Sequence, residues 1–211
     1  QFDGQDLTEA QEMADFLGIP HKVIDVRKMY QDVVLSYFVD SYKNGITPNP
    51  CMVCDFKIKF GFFYDTVRAY FDCPYFATGH YARITYDGTR GKYQVEKAAD
   101  IAKDQSYMMY HLTQDQLAHI LFPLGRMYKK DTRRISEEKG LPTYNKAESQ
   151  DICFLTSEKS YAEFLQNHAP EAFRPGNIID TKGRILGRHK GLPFYTCLLY
   201  TSPSPRDLST S

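Results

Sequence analysis

Residues 52–80 read MVCDFKIKFGFFYDTVRAYFDCPYFATGH. The part up to Phe71 predicts one long helix, and Pro74–Thr78 predicts a short strand that is ended by Gly79 and His80. A helix followed directly by a strand is the repeating unit of an α/β domain with a parallel sheet. Ligands bind such sheets beyond the carboxyl ends of the strands, which is where Gly79 and His80 stand.

The preceding residues show the same alternation. Apolar residues at helical spacing predict a first helix that ends at Gly18, a strand at His21–Val26 and a second helix at Lys28–Lys43. Pro48-Asn49-Pro50 then forces an extended or turned entry into the long helix, because each proline disfavours helical geometry in the residue before it. We therefore predict an α/β fold with a mainly parallel sheet.

The second half of the chain predicts smaller elements. Thr113–Gly140 is helical in two pieces, and Tyr161–Asn167 predicts a short helix. Two short apolar runs around a Thr-Lys-Gly turn predict a β-hairpin over Ile178–Leu186, which suggests a small second domain. Cys197–Ser211 is rich in Ser, Thr and Pro without apolar periodicity, and this composition predicts a disordered tail.

Composition and charge exclude several classes of protein. Lys and Arg together number 26 and Asp and Glu also number 26, so no net positive charge attracts nucleic acid, and any such binding must use local basic clusters. Arg126–Arg134 and Lys182–Lys190 are two such clusters, although a charge run is more often a solvated face. No run approaches the roughly 18 apolar residues of a membrane helix. Five cysteines at irregular spacing favour a reducing, cytoplasmic compartment.

The cysteines are the main candidates for chemistry. Cys51 and Cys54 form a Cys-x-x-Cys motif at the start of the predicted long helix, where free amides and the helix dipole stabilise a thiolate. The same motif also fits half of a zinc site, a redox pair or two buried thiols. Cys153 lies between two apolar residues, where a cysteine is most often buried and inert. Cys73 precedes a proline and is assigned to packing.

Five segments, taken in their order and spacing, resemble one family, the tRNA-specific 2-thiouridylases: Thr47–Cys54, Ala77–Tyr81, Lys103–Tyr107, Leu121–Gly125 and Ser149–Phe154. The resemblance spans about residues 6–196. It implies an adenine-nucleotide α-hydrolase-like (PP-loop) catalytic domain over residues 1–156, incomplete at its N-terminus. A small, incomplete central domain over residues 157–196 and a non-native tail over 197–211 are expected to follow.

The resemblance also implies an activity, the ATP-dependent transfer of sulfur from a cysteine persulfide to C2 of the tRNA wobble uridine, with Mg²⁺ accompanying ATP. Cys54 would be the nucleophile and Cys153 the persulfide carrier. Gly79 matches a nucleotide-binding position. The tRNA-binding positions would be Asn49, Pro50, Cys51, His80, Lys103, Asp104 and Gln105. The implied partners are tRNA and a sulfur donor, either a cysteine desulfurase or a sulfur relay carrier, and the protein is expected to be a monomer without a membrane partner.

The chain departs from the family's pattern, and two alternative functions stay open. The family's Ser-Gly-Gly-Val-Asp-Ser phosphate loop is expected upstream of residue 1 and its C-terminal β-barrel beyond Thr196, so the chain as given is not expected to adenylate tRNA. Asp55 stands where the family often has Asn. The alternatives are an iron-sulfur cluster held by Cys51, Cys54 and Cys153, which would leave one iron open, and a non-catalytic tRNA-binding fragment.

Overall fold

The computed structural model of the chain describes residues 4–71, 73–145, 152–154 and 160–195. Within these ranges five helices come first, and short strands and further helices follow them. The helices are α1 Gly4–Leu17, α2 Arg27–Tyr30, α3 Ser36–Lys43, α4 Pro50–Val53, α5 Tyr64–Tyr70, α6 Gln114–His119, α7 Lys129–Glu138 and α8 Tyr161–His168. Single 3₁₀ turns lie at Ile101–Lys103, Ser106–Met109, Pro123–Arg126, Pro170–Ala172 and Leu192–Phe194.

Wide π-helical segments connect four of the helices. Gln31–Leu35 joins α2 to α3, so the helix predicted over Lys28–Lys43 is confirmed as one helical stretch. Cys54–Phe63 joins α4 to α5 and is bent at Gly61, whose φ of −95° and ψ of −107° are not helical. The long helix predicted from Met52 therefore begins at Pro50 and is kinked. π-Helical turns are rare and occur frequently at functional sites.

The strands form three two-stranded sheets in the described residues. They are β1 Phe76–Ala77, β2 Ala82–Asp87, β3 Lys92–Lys97, β4 Ile120–Leu121, β5 Gly176–Ile179 and β6 Ile185–His189. β1 pairs with β4 in parallel, with Phe76 opposite Ile120. β2 pairs with β3 and β5 pairs with β6, both antiparallel. The predicted β-hairpin is confirmed as β5 and β6, with Gly183 at a φ of +79° in the turn.

The mixed α/β class and the parallel pairing are confirmed, but two details of the prediction are wrong. His21–Val26 does not form a strand, because none of the described strands lies beside it to complete its backbone hydrogen bonds, and Val23 is 60% exposed. The antiparallel β2–β3 pair was not predicted at all.

The chain packs into two units, each with its own core. Arg27–Cys51 and the described residues of Ser149–Ser211 form the Cys153 unit, while the described residues of Phe2–Val26 and of Met52–Glu148 form the Cys54 unit. The buried core residues of the Cys153 unit are Phe38, Tyr42, Phe164 and Leu165. Those of the Cys54 unit are Phe60, Tyr64, Ala82, Met108, Met109 and Ile120. The domain bounds at residues 156 and 196 stay predictions, and the tail from 197 lies outside the described residues.

Candidate active site

Cys54 lies one turn after the start of its helix. Pro50 is the first residue of α4, a position that suits proline because its φ is preset and its missing N–H has no helical partner. Cys51 is exposed and Cys54 is half-buried as the first residue of the π-helical segment.

Asp55, directly after Cys54, carries a carboxylate that is completely buried. Lys59 Nζ lies 2.6 Å from its Oδ1, and His80 Nε2 lies 3.4 Å from its Oδ2. Neither oxygen has a hydrogen bond of regular geometry, so Lys59 acts on the carboxylate through its charge and His80 through the approach of its Nε2. Burial acts to raise the pKa of Asp55, but His80 and Lys59 outweigh it and the pKa lies below its ordinary value. The residue beside the candidate nucleophile is therefore a buried anion.

His80 connects this anion to the edge of the parallel strand pair. Its Nδ1 lies 2.8 Å from Thr78 Oγ1, while its Nε2 faces Asp55, and the residue is 8% exposed. With a proton on Nε2, the ring donates toward Asp55 and accepts from the Thr78 hydroxyl. Both ring nitrogens thus face protein groups, and the tRNA contact assigned to His80 stays a prediction.

A second histidine, His111, lies in the same aromatic environment without a polar partner. Phe60 contacts both histidines, with ring centroids 5.6 Å from His80 and 6.1 Å from His111. Both ring nitrogens of His111 are buried and lack a hydrogen-bond partner. Burial lowers the pKa of His111, although the charge of Asp55 opposes this effect. His111 is therefore expected to be neutral at pH 7.

Replacing Asp55 by alanine is expected to lower the free energy of unfolding by about 2 kcal/mol, because His80 loses its buried partner. Asp55→Asn keeps the shape and an acceptor oxygen, and should cost about 1 kcal/mol. The folded-state pKa of Asp55 is lowered, so its stabilisation is complete above about pH 4 and is lost as the pH falls through that pKa. Urea unfolding of wild type and both variants at pH 7 and pH 3 checks this. A difference between wild type and Asp55→Asn that grows toward pH 3 would contradict it.

Gly79 lies just beyond the carboxyl end of β1. The Thr78 amide still donates to Leu121 O at 3.1 Å, which extends the parallel pairing by one residue. Gly79 is exposed, and a Cβ built on it would meet only Leu124 Cδ1, at 3.9 Å. Packing within the described residues does not require glycine here, whereas close approach of a ligand to the backbone would.

The segment Lys103–Gln105 packs against the residue after His80. The backbone N–H of Gln105 donates to Tyr81 O at 2.8 Å, and its side-chain Oε1 accepts from Tyr81 N at 3.0 Å. Asp104 accepts hydrogen bonds from Ala98 N and from Ser106. Burial acts to raise the pKa of Asp104, but these hydrogen bonds hold it below its ordinary value. The side chains of Asp104 and Gln105 thus stabilise the loop, and their tRNA contacts stay predictions, as does that of Lys103.

The Cys153 unit holds the other predicted site residues. Asn49 and Cys51 are exposed and Pro50 is buried. Cys153 is exposed, so the expectation of a buried, inert thiol is wrong. Its neighbours explain the difference, because Ile152 and Phe154 pack against the aromatic core and leave Cys153 facing outward. Tyr30 OH lies 3.0 Å from Cys153 Sγ.

Cys73 lies outside the predicted site. It is exposed, so its assignment to packing is wrong, and it lines a cavity of about 550 Å³ beside Arg68 and His119. Cys51, Cys54, Cys73 and Cys153 form no disulfide. In neither unit do the described residues gather three His, Cys, Asp or Glu side chains into a metal-binding group. The three cysteines of the iron-sulfur alternative are divided between the two units, Cys51 and Cys153 in one and Cys54 in the other, and that alternative stays a prediction.

The two basic clusters are exposed but partly paired. In α7, Arg134 NH1 lies 2.7 Å from Glu138 Oε1, and Lys130 lies over the Tyr128 ring. In the β5–β6 hairpin, Arg184 Nε lies 2.6 Å from Asp180 Oδ2. Binding of tRNA phosphates by either cluster stays a prediction. No helix in the described part of the chain is long and apolar enough to cross a membrane.

The family model described as the tRNA methyl transferase HUP domain matches residues 2–157. The chain belongs to this HUP-domain family. Residues 2–157 include Cys54, Gly79 and Cys153, so every predicted site residue lies within the matched HUP domain. The family's fold is a PP-loop-type α/β fold, in agreement with the parallel β1–β4 pair.

The chain is also similar in sequence to individual curated proteins. The HUP-domain chain is 48% identical over 188 residues to the tRNA-specific 2-thiouridylase MnmA of Moorella thermoacetica, covering 89% of this chain and 52% of the relative. Identity to the MnmA of Nostoc punctiforme is 46% over 191 residues, which cover 90% of this chain and 54% of the relative. For the MnmA of Clostridioides difficile it is 43% over 188 residues, covering 89% and 52%. The chain spans about half the length of these relatives.

Proposed function

We propose that this chain carries the sulfur-transfer chemistry of a tRNA-specific 2-thiouridylase. In this proposal Cys54 is the nucleophile and Cys153 receives sulfur as a persulfide. The observation that carries it is the state of these two cysteines, which form no disulfide and are at least partly exposed to solvent at the positions the family motifs assign. The high identity to relatives named 2-thiouridylases supports the same reaction.

The proposed sulfur transfer has four steps. The Cys153 thiolate takes the outer sulfur of a donor protein's persulfide, and the donor leaves as a thiolate. ATP activates the C2 oxygen of uridine as an adenylate and releases pyrophosphate. The Cys54 thiolate attacks Sγ of the Cys153 persulfide and forms a Cys54–Cys153 disulfide, while the Sγ–S bond breaks and the outer sulfur leaves as hydrosulfide. Hydrosulfide adds to C2 and AMP leaves, and two electrons from a thiol reductant restore both cysteines.

The residues around Cys54 would hold the reacting groups in place. Asp55 and His80 join the Cys54 helix to the segment that carries Gly79, and Gln105 joins that segment to the 103–105 loop. These contacts would fix the nucleophile relative to the nucleotide and the tRNA. Extrusion of the wobble base toward Asn49–Cys51, a tRNA partner, a sulfur-donor partner, Mg²⁺ with ATP, and a monomeric, cytoplasmic state belong to the same proposal.

A chimera tests the proposed function. The 188 residues of this chain that align with the Moorella thermoacetica relative replace the matching stretch of that relative. The purified chimera is then incubated with tRNA, Mg-ATP, sodium polysulfide and dithiothreitol. We expect 2-thiouridine in the tRNA, measured by nucleoside mass spectrometry, with one AMP and one pyrophosphate formed per sulfur.

Two controls accompany the assay. Without ATP no thiolation is expected, and Cys73→Ser, which changes an exposed cysteine outside the motifs, should thiolate at the wild-type rate. A folded chimera that binds tRNA but forms no 2-thiouridine, while the parent relative does, would overturn the proposal. That outcome would favour a non-catalytic tRNA-binding role.

A further inference from the structure

A buried tyrosine hydroxyl contacts the sulfur of Cys153. Tyr30 is the last residue of α2 and is 7% exposed, and its OH lies 3.0 Å from Cys153 Sγ. The two residues are 123 positions apart in sequence. The contact therefore depends on tertiary folding within the Cys153 unit, and the motifs assign Tyr30 no role.

Aromatic packing holds both partners of this contact in place. The ring of Phe154 meets that of Tyr30 edge-on, with centroids 6.4 Å apart, and meets that of Phe38 at 5.0 Å. Phe154 also packs at 5.0 Å against Phe164 of α8. Edge-to-face pairs at these distances are favourable beyond simple burial. The backbone on both sides of the sulfur is thus anchored, while the sulfur itself faces solvent beside the Tyr30 hydroxyl.

A hydroxyl partner suits a sulfur that changes its state. A tyrosine hydroxyl can accept a hydrogen bond from a thiol and can donate one to a thiolate or to a persulfide sulfur. Hydrogen bonds to a charged partner are stronger than those between neutral groups. A phenylalanine at this position would fill the same space and offer neither.

We propose that Tyr30 is a positioning residue that orients the Cys153 sulfur and donates a hydrogen bond to its reactive, anionic form. This inference rests on the proposed function of Cys153 as the persulfide carrier. Loading with inorganic polysulfide is the simplest form of that step. The Cys153 thiolate attacks a terminal sulfur of the polysulfide and forms a new S–S bond. The adjacent S–S bond breaks, and a polysulfide shorter by one sulfur leaves with the electron pair.

The test compares Tyr30→Phe with wild type in the 211-residue chain. Alkylation of Cys153 by iodoacetamide at pH 7 is followed by peptide mass spectrometry, with Cys73 in the same molecules as an internal reference. We expect Cys153 to react about threefold more slowly in Tyr30→Phe, because the sulfur loses the hydroxyl that orients it and donates to its reactive form. Cys73 should react at the same rate in both. Loading of Cys153 by sodium polysulfide should slow by a similar factor.

Controls separate orientation from folding. Tyr37→Phe removes a hydroxyl from an exposed tyrosine in α3 of the same unit, and it should leave both Cys153 rates unchanged. Tyr30→Phe keeps the ring and its packing, so its melting temperature should match wild type. An unchanged or faster Cys153 rate in Tyr30→Phe would overturn the inference. A Cys153→Ser chimera that still thiolates tRNA would instead overturn the role of Cys153, whatever the Tyr30 result.

Discussion

Gly125→Ala is expected to destabilise the Cys54 unit by about 3 kcal/mol, because the new methyl group has no space. A Cβ at Gly125 would overlap the carbonyl oxygen of Ala82 and lie 2.7 Å from its carbonyl carbon. Ala82 is completely buried in β2, so neither backbone can move outward freely. Hydrogen bonds from Gly125 N to Phe122 O and from Ala99 N to Gly125 O hold the turn against the strand.

Urea unfolding measures this loss, which is a large part of the roughly 5–15 kcal/mol stability of an ordinary domain. Gly88→Ala is the matched control, because a Cβ built there meets nothing within 4 Å, and its unfolding midpoint should change little. A Gly125→Ala chain with the wild-type midpoint would show that the turn does not press on β2.

Elements defined by local residue patterns could be predicted from the sequence. Gly18 ends α1 with a φ of +65°, and Thr113 caps α6 through a reciprocal pair of hydrogen bonds with Gln116. The β5–β6 hairpin follows from a Gly-containing turn between two short apolar runs. Each of these features depends on residues within a few positions of one another.

Elements that depend on distant partners were predicted less well. Val23 lies in an apolar run typical of a strand, yet a strand forms only where a neighbour completes its hydrogen bonds. The β2–β3 pair had a usable signal in Asp87-Gly88, a dipeptide that favours tight turns between alternating strands. The exposure of Cys153 had no such signal, because it results from packing of Phe154 against α3 and α8.

In the candidate site, too, residues in local motifs could be predicted and residues that depend on distant contacts could not. The motifs pointed to Cys54, Gly79 and Lys103–Gln105, and the structure joins the last two through Gln105 and Tyr81. The importance of Asp55 was missed, although Lys59 four residues later is a spacing typical of helical ion pairs. Tyr30 could not be found from the sequence, because no local pattern connects it to a cysteine 123 residues away.

Replacing Cys54 by serine in the chimera is expected to abolish tRNA thiolation, by at least about a thousandfold, while tRNA affinity changes less than about twofold. A serine hydroxyl cannot attack Sγ of the Cys153 persulfide and expel hydrosulfide, because sulfur exchange requires a thiolate. Affinity for tRNA comes mainly from phosphate contacts, which a half-buried cysteine does not make. Thiouridine is measured by nucleoside mass spectrometry, and tRNA affinity by filter binding at a fixed salt concentration.

Cys51→Ser separates the two thiols of the motif. Cys51 is the more exposed of the two and belongs to the same motif, so a general requirement for thiols in the motif would affect both variants alike. We expect Cys51→Ser to retain thiolation within about tenfold of wild type, because its proposed contact is with the target base and not with the persulfide. Equal loss in both variants would favour a chemistry that uses the two sulfurs together. Thiolation that persists in Cys54→Ser would remove this residue from the reaction, since the transferred sulfur would then leave Cys153 without it.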